Sequence, residues 1–275
     1  MPRLYKPYTI GGLLTVVLLV RPGLIAQEQP TIEDNSYFIE EAYNQEKGVV
    51  QHISNGLYFR KPRQDFVYMF TQEWPLFVPE HQISFTISYS ILNSSTVSGI
   101  GDLVINYRYQ LFTRHHWAAV APRMSVVLPT GSKSEGLGLG SLGLQFNIPV
   151  SKRLAGSFIA HFNAGLTVVP TAHGSDSFGD RVERSLLLYN LGASVIWLAK
   201  SNFNLMAEFV ENFDSEIDEN GGVVRFNETI VSPGFRYAID FGELQIVPGI
   251  AVPLTTTNGR TYVGTFFYLS FEHPF

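Results

Sequence analysis

Cysteine is absent from all 275 residues, which excludes disulfides, thiolate metal ligands and lipid attachment through sulfur. Charge is scarce as well. Asp, Glu, Lys and Arg make up 16% of the chain, against about a quarter in soluble proteins. The net charge of −5 lacks the basic excess that nucleic-acid binding needs. No apolar run reaches the roughly twenty residues of a membrane-spanning helix. The nearest, YTIGGLLTVVLLV at residues 8–20, follows Arg3 and Lys6 and precedes Leu24-Ile25-Ala26. It reads as the core of a signal peptide over residues 1–26, cleaved near Ala26. Export without a spanning helix leaves the periplasm, the outer membrane of a Gram-negative envelope or the outside.

What the chain does have is aromatic residues and alternation. Ile83, Phe85, Ile87, Tyr89 and Ile91 alternate with Ser84, Thr86, Ser88 and Ser90. After an eight-residue polar link, 93–100, Leu103, Ile105, Tyr107, Tyr109 and Leu111 alternate with polar residues that include Asn106 and Arg108. A period of two makes each arm a strand with one apolar and one polar face. Each is about eleven residues long, which is what a tilted strand needs to cross a bilayer. Similar runs recur from residue 48 to 275, giving about twelve strands. Links near 113, 151, 199 and 240 read as short, and those starting near 93, 129, 170, 214 and 255 as longer polar loops. Short turns on one rim and long loops on the other point to an all-β fold, an up-and-down antiparallel transmembrane barrel with both termini periplasmic. Phe267, Leu269, Phe271 and Phe275 share one face of the last strand, a pattern resembling the assembly signal read by the barrel assembly machinery. Tyr109, Trp197, Phe203, Tyr237 and Phe275 fall where an interfacial aromatic girdle would lie.

Some segments fit less simply. Residues 27–47 are polar and acidic, and read as a periplasmic N-terminal arm or a small plug, with room for a short helix over 36–45. In 117–128 the apolar residues Ala118, Val120, Met124, Val126 and Leu128 put Trp117 on the lumen side. The run 223–239 changes parity near Ile230, which suggests a bulge.

Four stretches, EEAYNQEKGVVQHI (40–53), TQEWPL (71–76), GIGDLVINYRYQL (99–111) and APRMSVVLPTGS (121–132), together resemble a family of outer-membrane transporters named for the meta-cleavage pathway of phenol degradation. The resemblance implies uptake of small, including aromatic, compounds. It carries no catalytic or binding residue over to this chain.

Two groups of side chains are candidates for chemistry. His52 and Ser54, in HISNG, share a strand face, as a hydrolytic dyad requires. Their spacing resembles the HxSNG motif of outer-membrane phospholipase A, itself a twelve-stranded barrel. The third catalytic residue of that enzyme has no match here, and the parity of Ile53, Leu57 and Phe59 turns His52 and Ser54 toward the lumen. The second group is the lumen wall: by parity Ser84, Thr86, Ser88, Arg108, Arg123, His161, Asn163, Glu208 and Arg236 face inward. Inward charges either set selectivity or pair with one another to fill the pore, and pairing is the favoured reading. The loop SEGLGLGSLG (134–143) lacks the Lys-Ser/Thr ending of a phosphate loop. No metal or cofactor site is expected. The expected function is a passive channel for small molecules in contact with outer-membrane lipid and lipopolysaccharide. The alternatives are a lipid hydrolase using His52 and Ser54, or a non-conducting structural or adhesive barrel.

Overall fold

The computed structural model describes residues 36–275 apart from 63 and 155. The signal peptide expected over 1–26, and the part of the N-terminal arm over 27–35, lie outside the described residues.

Apolar and polar residues alternate along nearly every run, so each strand is satisfied only where one face meets an apolar medium and the other a polar interior. The chain meets this with strands β1 (Val49–Phe59), β2 (Asp65–Leu76), β3 (Val78–Leu92), β4 (Val97–Ile100 with Leu103–Tyr109), β5 (Ala119–Val120 with Arg123–Leu128) and β6 (Gly143–Arg153). They continue as β7 (Phe158–Ser175), β8 (Arg181–Lys200), β9 (Phe203–Ile217), β10 (Val223–Tyr237, extended by Ile239–Phe241), β11 (Leu244–Ala251 with Leu254–Thr257) and β12 (Arg260–Pro274). Each pairs antiparallel with its predecessor, and β12 closes on β1, with Val49 opposite Pro274 and Phe59 opposite Gly264. The result is a closed twelve-stranded barrel with no free edge. Both barrel ends of the chain sit at one rim, here the near rim.

Burial follows the alternation. On β3, Ser84, Thr86 and Ser90 are buried while Ile83 and Tyr89 are exposed. On β9, Asn204, Met206, Glu208 and Val210 are buried between the exposed Leu205 and Phe209. Exposed apolar side chains therefore form the outer surface, and much of the polar complement is inside.

Several sequence expectations are corrected. The alternation of link lengths holds in part: near-rim links 154–157, 201–202 and 242–243 are short and the far-rim link 129–142 is long. Other far-rim stretches read as loops zip into hairpins, leaving 176–180, 218–222 and 258–259, and the near-rim link 110–118 is longer than the tight turn expected. β7 and β8 run 18 and 20 residues, about twice the ten or so a tilted strand needs, because their polar ends still complete the backbone ladder. Residues 36–45 form no helix. Trp117 lies outside β5 in the 110–118 link and is 81% exposed, its ring under the Lys152 ammonium at 3.4 Å. The pairing of β9 with β10 runs unbroken through Ile230, so there is no bulge there; Ile230 faces inward because it packs in an interior apolar cluster.

Candidate functional site

The interior of the barrel is occupied by its own N-terminal segment. Residues 36–45 take neither helix nor strand, so their backbone groups need partners from elsewhere. The barrel wall supplies them as side chains. One oxygen of Glu208 accepts from the amides of Tyr37, Phe38 and Ile39 at 2.8, 2.8 and 3.3 Å. Asn163 holds Glu40 from both sides, accepting from its amide at 2.8 Å and donating to its carbonyl at 2.7 Å. The Ser151 hydroxyl accepts from Ala42 N at 2.7 Å and lies 2.6 Å from His161 Nδ1. Gln110 accepts from Asn44 N and donates to Ala42 O, and Gln82 accepts from Gln45 N at 2.7 Å.

Two buried ion pairs lock the segment to β4 and β5. Arg123 meets Glu40 at 2.9 Å and also donates to Asn106 and Ser125, both at 2.6 Å. Arg108 meets Glu41 at 3.5 Å and donates from Nε to Asn44 at 2.9 Å. Neither arginine is paired in the way expected from the sequence, with another wall residue of opposite charge; the acidic partners come from the N-terminal segment. Both pairs are buried, so deleting one partner would strand the other charge, at a cost of about 3–5 kcal/mol.

The interior is two-sided. Polar side chains from β3 to β7 receive residues 40–45, while the start of the segment rests on an apolar wall. Tyr37, Phe38 and Ile39 cluster with Ile53, Ile159, Ile196, Met206, Val210, Ile230, Val247 and Phe266. The wall is cut back to admit them: a Cβ on Gly192 would run into Ile39, and one on Gly234 or Gly249 would run into Tyr37. A second inward apolar cluster, Val169, Ala172, Leu186 and Leu188, lies toward the far rim, and Leu139 of the 129–142 link packs on it. That link is tied inward. The Asp102 carboxylate accepts from Gly131 N at 2.9 Å and Leu139 N at 2.6 Å, and Lys133 Nζ reaches the His173 carbonyl.

Of the wall residues singled out by parity, Ser84, Thr86, Arg108, Arg123, His161, Asn163, Glu208 and Arg236 are buried; Ser88 is half-buried, its side chain beside Gly101. Thr86 bonds Thr71 at 2.9 Å, and Arg236 lies near Tyr37 where both crowd Gly249. Phe267, Leu269 and Phe275 are exposed and Phe271 is half-buried.

His52 and Ser54 stand against the parity assigned to β1. Ile53 is buried in the interior cluster with Leu57 against it, and Gln51 is buried in the interior chain Gln45–Gln51–Glu272. Apolar Ile53 and Leu57 face inward because an apolar wall awaits them there. His52 and Ser54 are thereby turned outward, where Ser54 Oγ pairs with Tyr68 OH at 3.0 Å and His52 Nε2 with His273 Nε2 at 3.3 Å.

Glu40, Glu41, Gln45, Gln51, Glu73 and Gln82, all buried inside, are functional-site residues that sequence reasoning missed. One signal was available. Glu73 stands opposite the chosen lumen residue Ser84, and Gln51 stands between Glu73 and Glu272, so the inward row continues through all three.

No protein-family model matches the chain, and no curated protein matches it in sequence. Among solved structures it is similar to an outer-membrane channel from Pseudomonas putida F1, with a TM-score of 0.64 and 12% identity over 85% of this chain and 98% of that one. It is also similar to the NanC porin, with a TM-score of 0.50 and 10% identity over 82% of this chain and 100% of the porin. At such identities the likeness is one of fold, and the fold shared is the β-barrel of outer-membrane channels.

Proposed function

We propose that the protein is an outer-membrane barrel, its two ends periplasmic, that passes small molecules of apolar or aromatic character by passive diffusion. The exposed apolar outer face supports a membrane setting, with lipid and lipopolysaccharide around it and the barrel assembly machinery inserting it. A signal peptide over 1–26 would deliver it, and residues 27–47 would serve as the plug whose described part fills the interior.

The observation that carries the solute class is the inward apolar wall. Val169, Ala172, Leu186 and Leu188 toward the far rim, and Ile159, Ile196, Met206 and Phe266 deeper in, would give an apolar solute successive surfaces to rest on once Leu139 and the segment 37–39 that now cover them withdraw. The resemblance of four stretches to transporters named for phenol degradation supports the same class.

Proteoliposome flux tests this. The expected outcome is faster entry of a phenol-sized aromatic acid than of a sugar of similar size, with small single-channel conductance. Equal entry of both would overturn the solute class. No flux of either, with lipid hydrolysis abolished by Ser54→Ala, would overturn the channel reading.

A further inference from the structure

We propose that His52 and His273 form a two-imidazole site for a divalent first-row transition-metal ion on the outer face of the barrel, bridging its first and last strands.

The two rings meet nitrogen to nitrogen, Nε2 to Nε2 at 3.3 Å, with centroids 5.4 Å apart and planes 21° from parallel. Two imidazole nitrogens bound to one tetrahedral ion at about 2.0–2.1 Å stand about 3.3–3.4 Å apart, so the site already has the span of a ligand edge. One lone pair is already prepared, and binding needs the His52 proton to move from Nε2, where it serves the bond to His273, to Nδ1. His273 Nδ1 lies 2.9 Å from the Pro274 carbonyl, which can only accept, so the proton sits on Nδ1 and Nε2 is left as a bare donor. That is the outer-shell bond that commonly orients a metal-bound histidine. The His52 ring is fixed by stacking on Phe271 at 4.5 Å and Phe70 at 6.2 Å, so little rotamer freedom remains to be lost on binding.

Imidazole suits zinc, copper and nickel ions. Among the described residues no group of three or more acidic or histidine side chains converges here, so water would complete the coordination sphere. His52 pairs in register with Phe271 and His273 with Val50, which places the ion across the β1–β12 seam, where the barrel closes. A metal at this point holds the two ends of the barrel together, and it does so independently of what passes through the lumen.

The test uses tag-free protein folded in detergent. Zn2+ at about a hundred times its Kd should raise the unfolding temperature by about 5 °C. Cu2+ should give an electron paramagnetic resonance spectrum with two coupled imidazole nitrogens. His52→Gln or His273→Gln should weaken binding at least about ten-fold, the loss that removing even an outer-shell partner causes. His115→Gln, His116→Gln and His173→Gln should leave both readouts unchanged. Absence of a shift in the wild-type protein at millimolar Zn2+ overturns the site without recourse to any variant. So does a two-nitrogen Cu2+ spectrum that persists in both variants, or one that is lost in the control substitutions.

Discussion

Glu208 shows how one side chain can seat a stretch of chain that has no ladder of its own. Three consecutive amides, from Tyr37, Phe38 and Ile39, end on a single oxygen of it. Bonds from backbone N–H groups to a carboxylate are charge-assisted and stronger than neutral ones. In Glu208→Ala those amides lose their acceptor inside the barrel, at about 1–3 kcal/mol each. Even 3 kcal/mol in total corresponds to about a hundred-fold faster hydrogen exchange at residues 37–39. Exchange in the strands should stay slow, because their amides bond along the ladder. Glu208→Gln, which keeps an acceptor oxygen without the charge, should fall between. Unchanged exchange at 37–39 in the alanine variant would show that the apolar contacts of Tyr37 and Ile39 hold the segment without Glu208. The inward direction of Glu208 was readable from strand parity. Its partners were not, since they lie some 170 positions away in a segment with no periodicity to read.

At the scale of the element, the strands were legible and the connections were not, for one physical reason. A strand with an apolar outer face and polar groups inside carries its environment in its alternation, as Ile83 to Ile91 against Ser84 to Ser90 demonstrates. A polar hairpin at the rim of the barrel carries no such contrast, so 170–175, 214–217 and 255–257 read as loops although they pair. β1 misled for a related reason. It faces an apolar interior wall, so its apolar parity inverts and His52 comes out on the outer face. The 129–142 link is the element most open to test. Its backbone is drawn in by Asp102 through Gly131 and Leu139, and a Cβ on Gly138 would strike the same carboxylate. Asp102→Ala removes two charge-assisted bonds, worth about 1.5–3 kcal/mol each. The link should then be cleaved by added protease at least about ten-fold faster, while the barrel remains folded. Gly138→Val should produce the same effect without altering charge. Equal cleavage rates in wild type and both variants would mean that Lys133 and the packing of Leu139 hold the link by themselves.

The molecule as a whole is two systems fitted together: a ladder that closes on itself without residues 36–45, and a segment that forms neither helix nor strand and is held by side chains and carbonyls of the barrel. This division decides what deletion of residues 36–47 should do. The twelve strand pairings include none of these residues, so the barrel should still form and keep its far-ultraviolet dichroism. Removing the segment does strip Arg108 and Arg123 of Glu41 and Glu40, and in a dry core that would cost several kcal/mol per stranded charge. Inside a barrel, though, the vacated space fills with water, which solvates the guanidinium groups in place of the carboxylates. Stability should fall by much less than the sum of two broken buried pairs, and conductance should rise by about ten-fold or more as the interior opens. The exposed arginines should also favour anions, so the reversal potential in a salt gradient should shift toward that of the anion, and Arg108→Gln with Arg123→Gln in the deleted background should cancel the shift. A deletion variant that fails to fold would mean the segment is part of the barrel's core. One that folds with wild-type conductance would mean that the 129–142 link, not the segment, closes the lumen.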